Sequence, residues 1–176
     1  MSTTDQLRFP VGKFMETQHP DQATLSSWID IIADFPNKLQ NAVEGLTDQQ
    51  LNQSYRPDGW TIRQVVHHCA DSHINAYIRF KLALTEDGPN IKPYDEAAWA
   101  ELPDTLDAPI SLSLQLLAGL HARWTILLQH LDKEGLQKKF YHPEHGTAFT
   151  LLLGVDNYQW HCRHHLAHIE QAKAYF

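Results

Sequence analysis

Cysteine is scarce in this chain, which carries Cys69 and Cys162 and no other. One bridge is the most they could form, and a domain of this size builds a large enough core without it, so both are expected as reduced thiols in a cytoplasmic protein. Long apolar runs are missing too, and nothing approaches the roughly 20 residues that a membrane span requires. The opening MSTTDQLRFPVGKF has neither the basic start nor the apolar middle of a signal peptide. Basic side chains are in deficit, 14 against 21 acidic, and a net charge of −7 gives no attraction to phosphate backbones or anionic lipid. Nucleic acid and membrane are therefore not expected as partners. With 43% hydrophobic residues the composition is that of a packed protein, which excludes disorder and fibrous architectures.

Histidine is what the chain has in excess, 12 residues in all. Five are scattered (His19, His121, His130, His142, His145), His67, His68 and His73 form one group, and His161, His164, His165 and His168 form another. Imidazole is the commonest transition-metal ligand, so two groups far apart in sequence point to one site assembled by folding.

The breakers divide the chain into an arm, residues 1–20, laid over a single domain, residues 21–176. From the capping candidate Asp21, the spacing of Leu25, Trp28, Ile29, Ile32, Leu39 and Val43 predicts a first helix ending near Gly45, which Pro36 should kink or split. After the turn Arg56-Pro57-Asp58-Gly59, Thr61 caps a second helix whose core side holds Ile62, Val65, Val66, Cys69, Ala76, Tyr77, Phe80 and Leu84. Thr61, His68, Ser72, Asn75 and Arg79 form a polar stripe on its flank. Residues 86–108 read as a long connection with one short helix. A third helix is predicted over Ile110–Leu131, with Leu112, Leu116, Leu120, Trp124 and Leu127/Leu128 turned inward. A hairpin around Glu144-His145-Gly146 follows. The fourth helix begins at Thr150, its seam formed by Leu151, Val155, Tyr158, Cys162, His165, Ile169 and Ala172. The fold class is all-α, a four-helix bundle, in which sites are built from side chains on facing helices.

On the fourth helix, His161/His165 and His164/His168 are each four residues apart and stacked on one side. The seam favours His161 and His165 with His168 in reserve, and places His164 nearer solvent. The third ligand should come from the second helix, where spacing alone leaves His68 and His73 open; His73 also reads as a core histidine bonded to a neighbour. Cys69 and Cys162 each adjoin a candidate ligand but point about 100° away, as packing residues do. No His-Glu-x-x-His, nucleophile elbow, P-loop or dinucleotide fingerprint occurs, and Glu16 to His19 in the arm is the one Glu-x-x-His, so zincin and di-iron sites are excluded.

The segments Gly59-Trp60-Thr-Ile-Arg-Gln-Val-Val-His67-His68-Cys69-Ala-Asp71-Ser-His73, Tyr77-Ile-Arg-Phe-Lys-Leu82, Pro93-Tyr-Asp-Glu-Ala-Ala-Trp99, Phe140-Tyr-His-Pro143 and Trp160-His-Cys-Arg-His-His-Leu-Ala-His-Ile169 resemble the YfiT family of metal-dependent hydrolases, within the DinB-like four-helix bundles. The likeness runs from Leu7 in the arm to the last helix. It implies a three-histidine metal site of His68, His161 and His165, which selects His68 over His73, and it implies a homodimer. Cys69 stands where the family has an aliphatic residue.

Three imidazoles leave a divalent ion, Zn²⁺ or Ni²⁺ and one per chain, with an open position for water. Such an ion activates water for hydrolysis of a small-molecule substrate, or equally stabilises a thiolate. The resemblance accordingly implies a hydrolase, with a transferase using a low-molecular-weight thiol such as bacillithiol as the alternative; a non-catalytic metal-binding module is the third reading. Asp71, one turn beyond His68, is the candidate general base, or else the partner that orients a ligand.

Overall fold

The computed structural model describes residues 3–176. The elements, in chain order, are α1 (Thr3–Arg8), α2 (Gln22–Val43), α3 (Asp48–Leu51), α4 (Ile62–Thr85), α5 (Glu96–Trp99), α6 (Pro103–Leu106), α7 (Ile110–Gln129), α8 (Lys133–Gln137), β1 (Lys139–His142), β2 (Thr147–Thr150) and α9 (Leu151–Lys173). The long helices α2, α4, α7 and α9 form the bundle. Both α2 and α4 pack against α7 and α9, so the order around the bundle is α2, α7, α4, α9, and α2 and α4 lie diagonally across the core.

Local signals set the helix starts. Asp21 accepts the Thr24 amide at 2.7 Å ahead of α2, and Thr61 and Gln64 form a reciprocal capping box ahead of α4. Thr150 caps α9 by accepting the Leu153 amide at 3.1 Å. The side chains predicted inward on α2 are all buried, as are those on α4 apart from the half-buried Tyr77 and Leu84. The predicted seam of α9 is buried through His165, with Tyr158 half-exposed. Cys69 and Cys162 are free and fully buried in the same core.

Of the two outcomes expected of Pro36, a kink or a split, the split does not occur: α2 runs through it, and the Ile32 carbonyl that its missing N–H leaves over accepts instead from His121 Nδ1 at 2.6 Å. On α7 the buried face is Leu114, Leu117, His121, Trp124 and Leu128, while Leu112 and Leu116 are 58% and 42% exposed. The true seam passes through a histidine, and a leucine-rich helix offers a second apolar stripe that hydropathy alone cannot reject.

Successive contacts run His68 with His165, Ser72 with Tyr158 and Phe80 with Gly154, so α4 and α9 are antiparallel. The connection holds two short helices, α5 and α6, rather than one. It is tied to the hairpin by the Ile91 amide on the Tyr141 carbonyl at 3.1 Å and the Tyr141 amide on the Pro89 carbonyl at 2.9 Å. The hairpin pairs Phe140 with Phe149 and His142 with Thr147. The arm lies along α9: Trp160 donates to the Gly12 carbonyl at 3.1 Å, His168 Nε2 to the Arg8 carbonyl at 3.2 Å, and the Thr17 amide to Asp156 at 2.7 Å.

At Gly154 the α9 backbone lies directly against the Phe80 ring of α4. A Cβ there would meet the Phe80 ring at 2.8 Å. Gly154→Ala is expected to destabilise the protein by about 1 to 3 kcal/mol through overpacking, read as a lower midpoint in urea denaturation. An unchanged midpoint would contradict the close packing of α4 on α9.

Candidate metal centre

The capping box fixes the phase of α4, and two turns later the phase delivers His67 and His68 to opposite neighbours. His67 faces the start of α7, with Nδ1 2.7 Å from Ser113 Oγ and Nε2 3.2 Å from the Ala108 carbonyl. His68 faces α9. Its Nε2 lies 3.4 Å from Nε2 of His161, and its ring centroid 4.8 Å from that of His165. Among the described residues, His68, His161 and His165 form a group whose candidate ligand atoms all lie within 4.8 Å of one another. The fold brings together the three residues that the family resemblance implies, and on α4 it takes His68 of the two candidates that spacing leaves open.

The donor set fits a divalent cation. Two nitrogens on a tetrahedral ion with bonds of about 2.0 to 2.1 Å stand about 3.3 to 3.4 Å apart, as the His68 and His161 nitrogens do. Burial pushes His68 down to about 4, with the neighbouring His164 adding to it, and burial holds His161 and His165 well below the usual histidine range. All three rings are therefore neutral at neutral pH and able to ligate. Trp60 packs on the His68 ring at 4.6 Å.

The remaining histidines of the second group do not join the three. His164, expected nearer solvent, is buried: its ring stacks on Trp160 at 4.4 Å, with Phe9 of the arm 6.1 Å away. The arm hides a position that helix periodicity alone leaves outside. His168 stacks on Tyr55 at 3.8 Å and spends its Nε2 on the Arg8 carbonyl. His73 is a fully buried core residue, with Nδ1 2.7 Å from His121 Nε2 and Nε2 3.0 Å from His161 Nδ1.

Two cavities reach the centre. One, of 520 Å³, is bordered by Arg79, Tyr94, Glu96, His142, Tyr158 and His161. The other, of 430 Å³, is bordered by Arg56, Trp60, Glu96, His68, His161 and His165. Glu96 and His161 border both. The polar stripe of α4 thus forms a wall of the site: Ser72 Oγ is 3.3 Å from the Tyr158 hydroxyl, and Arg79 stands further along. Glu96 escaped sequence reasoning because it lies in the connection with no periodicity to place it. Its carboxyl is held above the usual range by burial and by Asp95. Asp71 borders neither cavity; burial and the nearby Asp104 raise it to about 6. Asn75 bonds back to the Asp71 carbonyl at 2.9 Å.

The sequence profile of the DinB superfamily matches residues 32–169. The chain belongs to that superfamily and, within it, to the YfiT family. YfiT of Bacillus subtilis, provisionally named a metal-dependent hydrolase, is 47% identical over 169 residues, covering 96% of this chain and 95% of that protein. A Bacillus cereus relative with the same provisional description is 50% identical over 165 residues, 94% of each chain. The solved structure of Bacillus subtilis YfiT, described as having an unusual four-helix bundle topology, superposes with a TM-score of 0.93 at 46% identity and 97% coverage of both chains.

Buried neutral histidines also give the fold an acid limit. Unfolded, such rings titrate at about 6.5; folded, burial holds His68 and His121 near about 4. Between these values the unfolded chain binds more protons. Stability of the metal-free protein should be full above pH 6.5 and fall as pH drops toward 4, by up to about 1.4 kcal/mol per pH unit for each ring. Urea denaturation at pH 7.5, 6 and 5 reads the slope, and a flat profile across that window would contradict neutral burial.

Proposed function

We propose that the chain is a metal-dependent hydrolase whose single divalent ion, Zn²⁺ or Ni²⁺, is held by His68, His161 and His165. The observation carrying this reading is the convergence of three neutral imidazoles, His68 and His165 buried and His161 half-buried, where one cavity borders all three and a second borders His161. Three protein ligands leave a coordination position free, as catalytic sites do and closed structural sites do not. When bound, the ion supplies Lewis acidity, acidifying a water molecule and polarising a substrate carbonyl.

The chain's own groups supply the rest. Glu96, bordering both cavities beside His161, is placed to accept and return the proton of the attacking water, and its raised pKa suits that exchange. Asp71, expected from sequence as a general base or as the partner that orients a ligand, borders neither cavity and so has no place against substrate. Tyr158 and Ser72 are positioned to hold a substrate oxygen. Arg79 and His142, which border the larger cavity, would bind an anionic group on the substrate.

His165→Ala should lose the full equivalent of metal that the parent retains after dialysis; retention of one equivalent would remove His165 from the ligand set. Glu96→Gln should lower kcat on a responsive ester or amide by about a hundredfold at unchanged metal content, and Asp71→Asn should lower it less. Turnover of esters and amides by the metal-loaded protein supports hydrolysis. Activity confined to small thiols with electrophiles would replace this reading with thiol transfer.

A further inference from the structure

Pro36 sets the direction of a chain of hydrogen bonds that crosses the whole bundle. Lacking an N–H, it leaves the Ile32 carbonyl on α2 without its helical donor, at a residue with no solvent exposure. His121 of α7 fills the place, its Nδ1 2.6 Å from that oxygen. A carbonyl oxygen only accepts, so the proton of His121 is on Nδ1 and its Nε2 carries a lone pair. Nδ1 of His73 on α4 lies 2.7 Å from that lone pair and must donate to it. His73 Nε2 is then the acceptor, and it stands 3.0 Å from Nδ1 of His161 on α9. The same rule puts the proton of His161 on Nδ1. Its Nε2, 3.4 Å from Nε2 of His68 and 3.5 Å from Ser72 Oγ, then carries the lone pair.

We propose that His121 and His73 are positioning residues which, anchored on the Ile32 carbonyl freed by Pro36, lock His161 in the Nδ1–H tautomer and aim its Nε2 lone pair at the cation. This inference rests on the three-histidine reading of the site. Packing alone is a poor reason for these two rings. His73 and His121 are 0% and 1% exposed among Phe35, Trp124 and Tyr158, where aliphatic or aromatic residues would fill the space without desolvating two polar rings. All four of their ring nitrogens are nevertheless paired, and one arrangement of protons satisfies every pair with neutral rings. The three ligands differ in this respect: Nδ1 of His165 is buried with no protein partner among the described residues. A partner on the remote nitrogen fixes ring orientation and raises ligand basicity.

Two measurements test the proposal. Long-range ¹H–¹⁵N correlation spectra of the metal-free, full-length protein at neutral pH should show His121, His73 and His161 all as Nδ1–H tautomers. Zinc affinity should then be read by competition with a chromophoric chelator for the parent, His73→Leu and His73→Gln, with folding monitored by circular dichroism. His73→Leu is expected to weaken zinc binding by about tenfold or more, and His73→Gln, which keeps a donor and an acceptor, to recover part of the loss. Wild-type affinity in His73→Leu, or an Nε2–H tautomer at His161 in a parent that binds zinc, overturns this proposal alone. A parent that binds no zinc overturns the three-histidine reading and this inference with it. Should His73→Leu fail to fold, the tautomer spectra of the parent decide.

Discussion

Imidazole nitrogens of His68, His161 and His165 converge at the seam between α4 and α9, all within 4.8 Å of one another. Burial keeps the three rings neutral. Each can therefore turn a lone pair to one cation at the meeting point. The packing of Phe80 on Gly154, the cap that sets the phase of α4 and the arm that covers the outer side of α9 hold these rings in place.

The order of helices around the bundle gives that constraint its reach. Because α2 and α4 lie diagonally, α7 and α9 each touch both, and a polar connection can pass from one helix to the next through the core. A proline usually costs a helix one hydrogen bond. Here the orphaned carbonyl becomes the end point of a series of imidazoles leading to the candidate metal centre.

Much of this was legible beforehand. The four helices, the hairpin and the seams of α2, α4 and α9 follow from periodicity and breakers, because burial and helical period coincide there. On α7 they do not: the inward face includes His121, which a hydropathy pattern scores as polar, and the spare leucines Leu112 and Leu116 imitate a core stripe. Helix geometry alone offered His68 and His73 as equal candidates. The structure separates them by role, His68 facing the convergence point and His73 standing behind His161. His164 was misplaced because its cover comes from the arm, an element distant in sequence. Glu96 lies within one of the segments that carry the family resemblance, but it opens the one-turn helix α5, too short for periodicity to give its side chain a direction.

The central claim is that three histidines and an open position hold one divalent ion. X-ray absorption spectroscopy at the zinc edge of the zinc-loaded protein tests it most directly. The account predicts three imidazole nitrogens at about 2.0 to 2.1 Å together with at least one light, non-imidazole oxygen neighbour. A shell of four imidazoles, or a sulfur neighbour at about 2.3 Å, would contradict it.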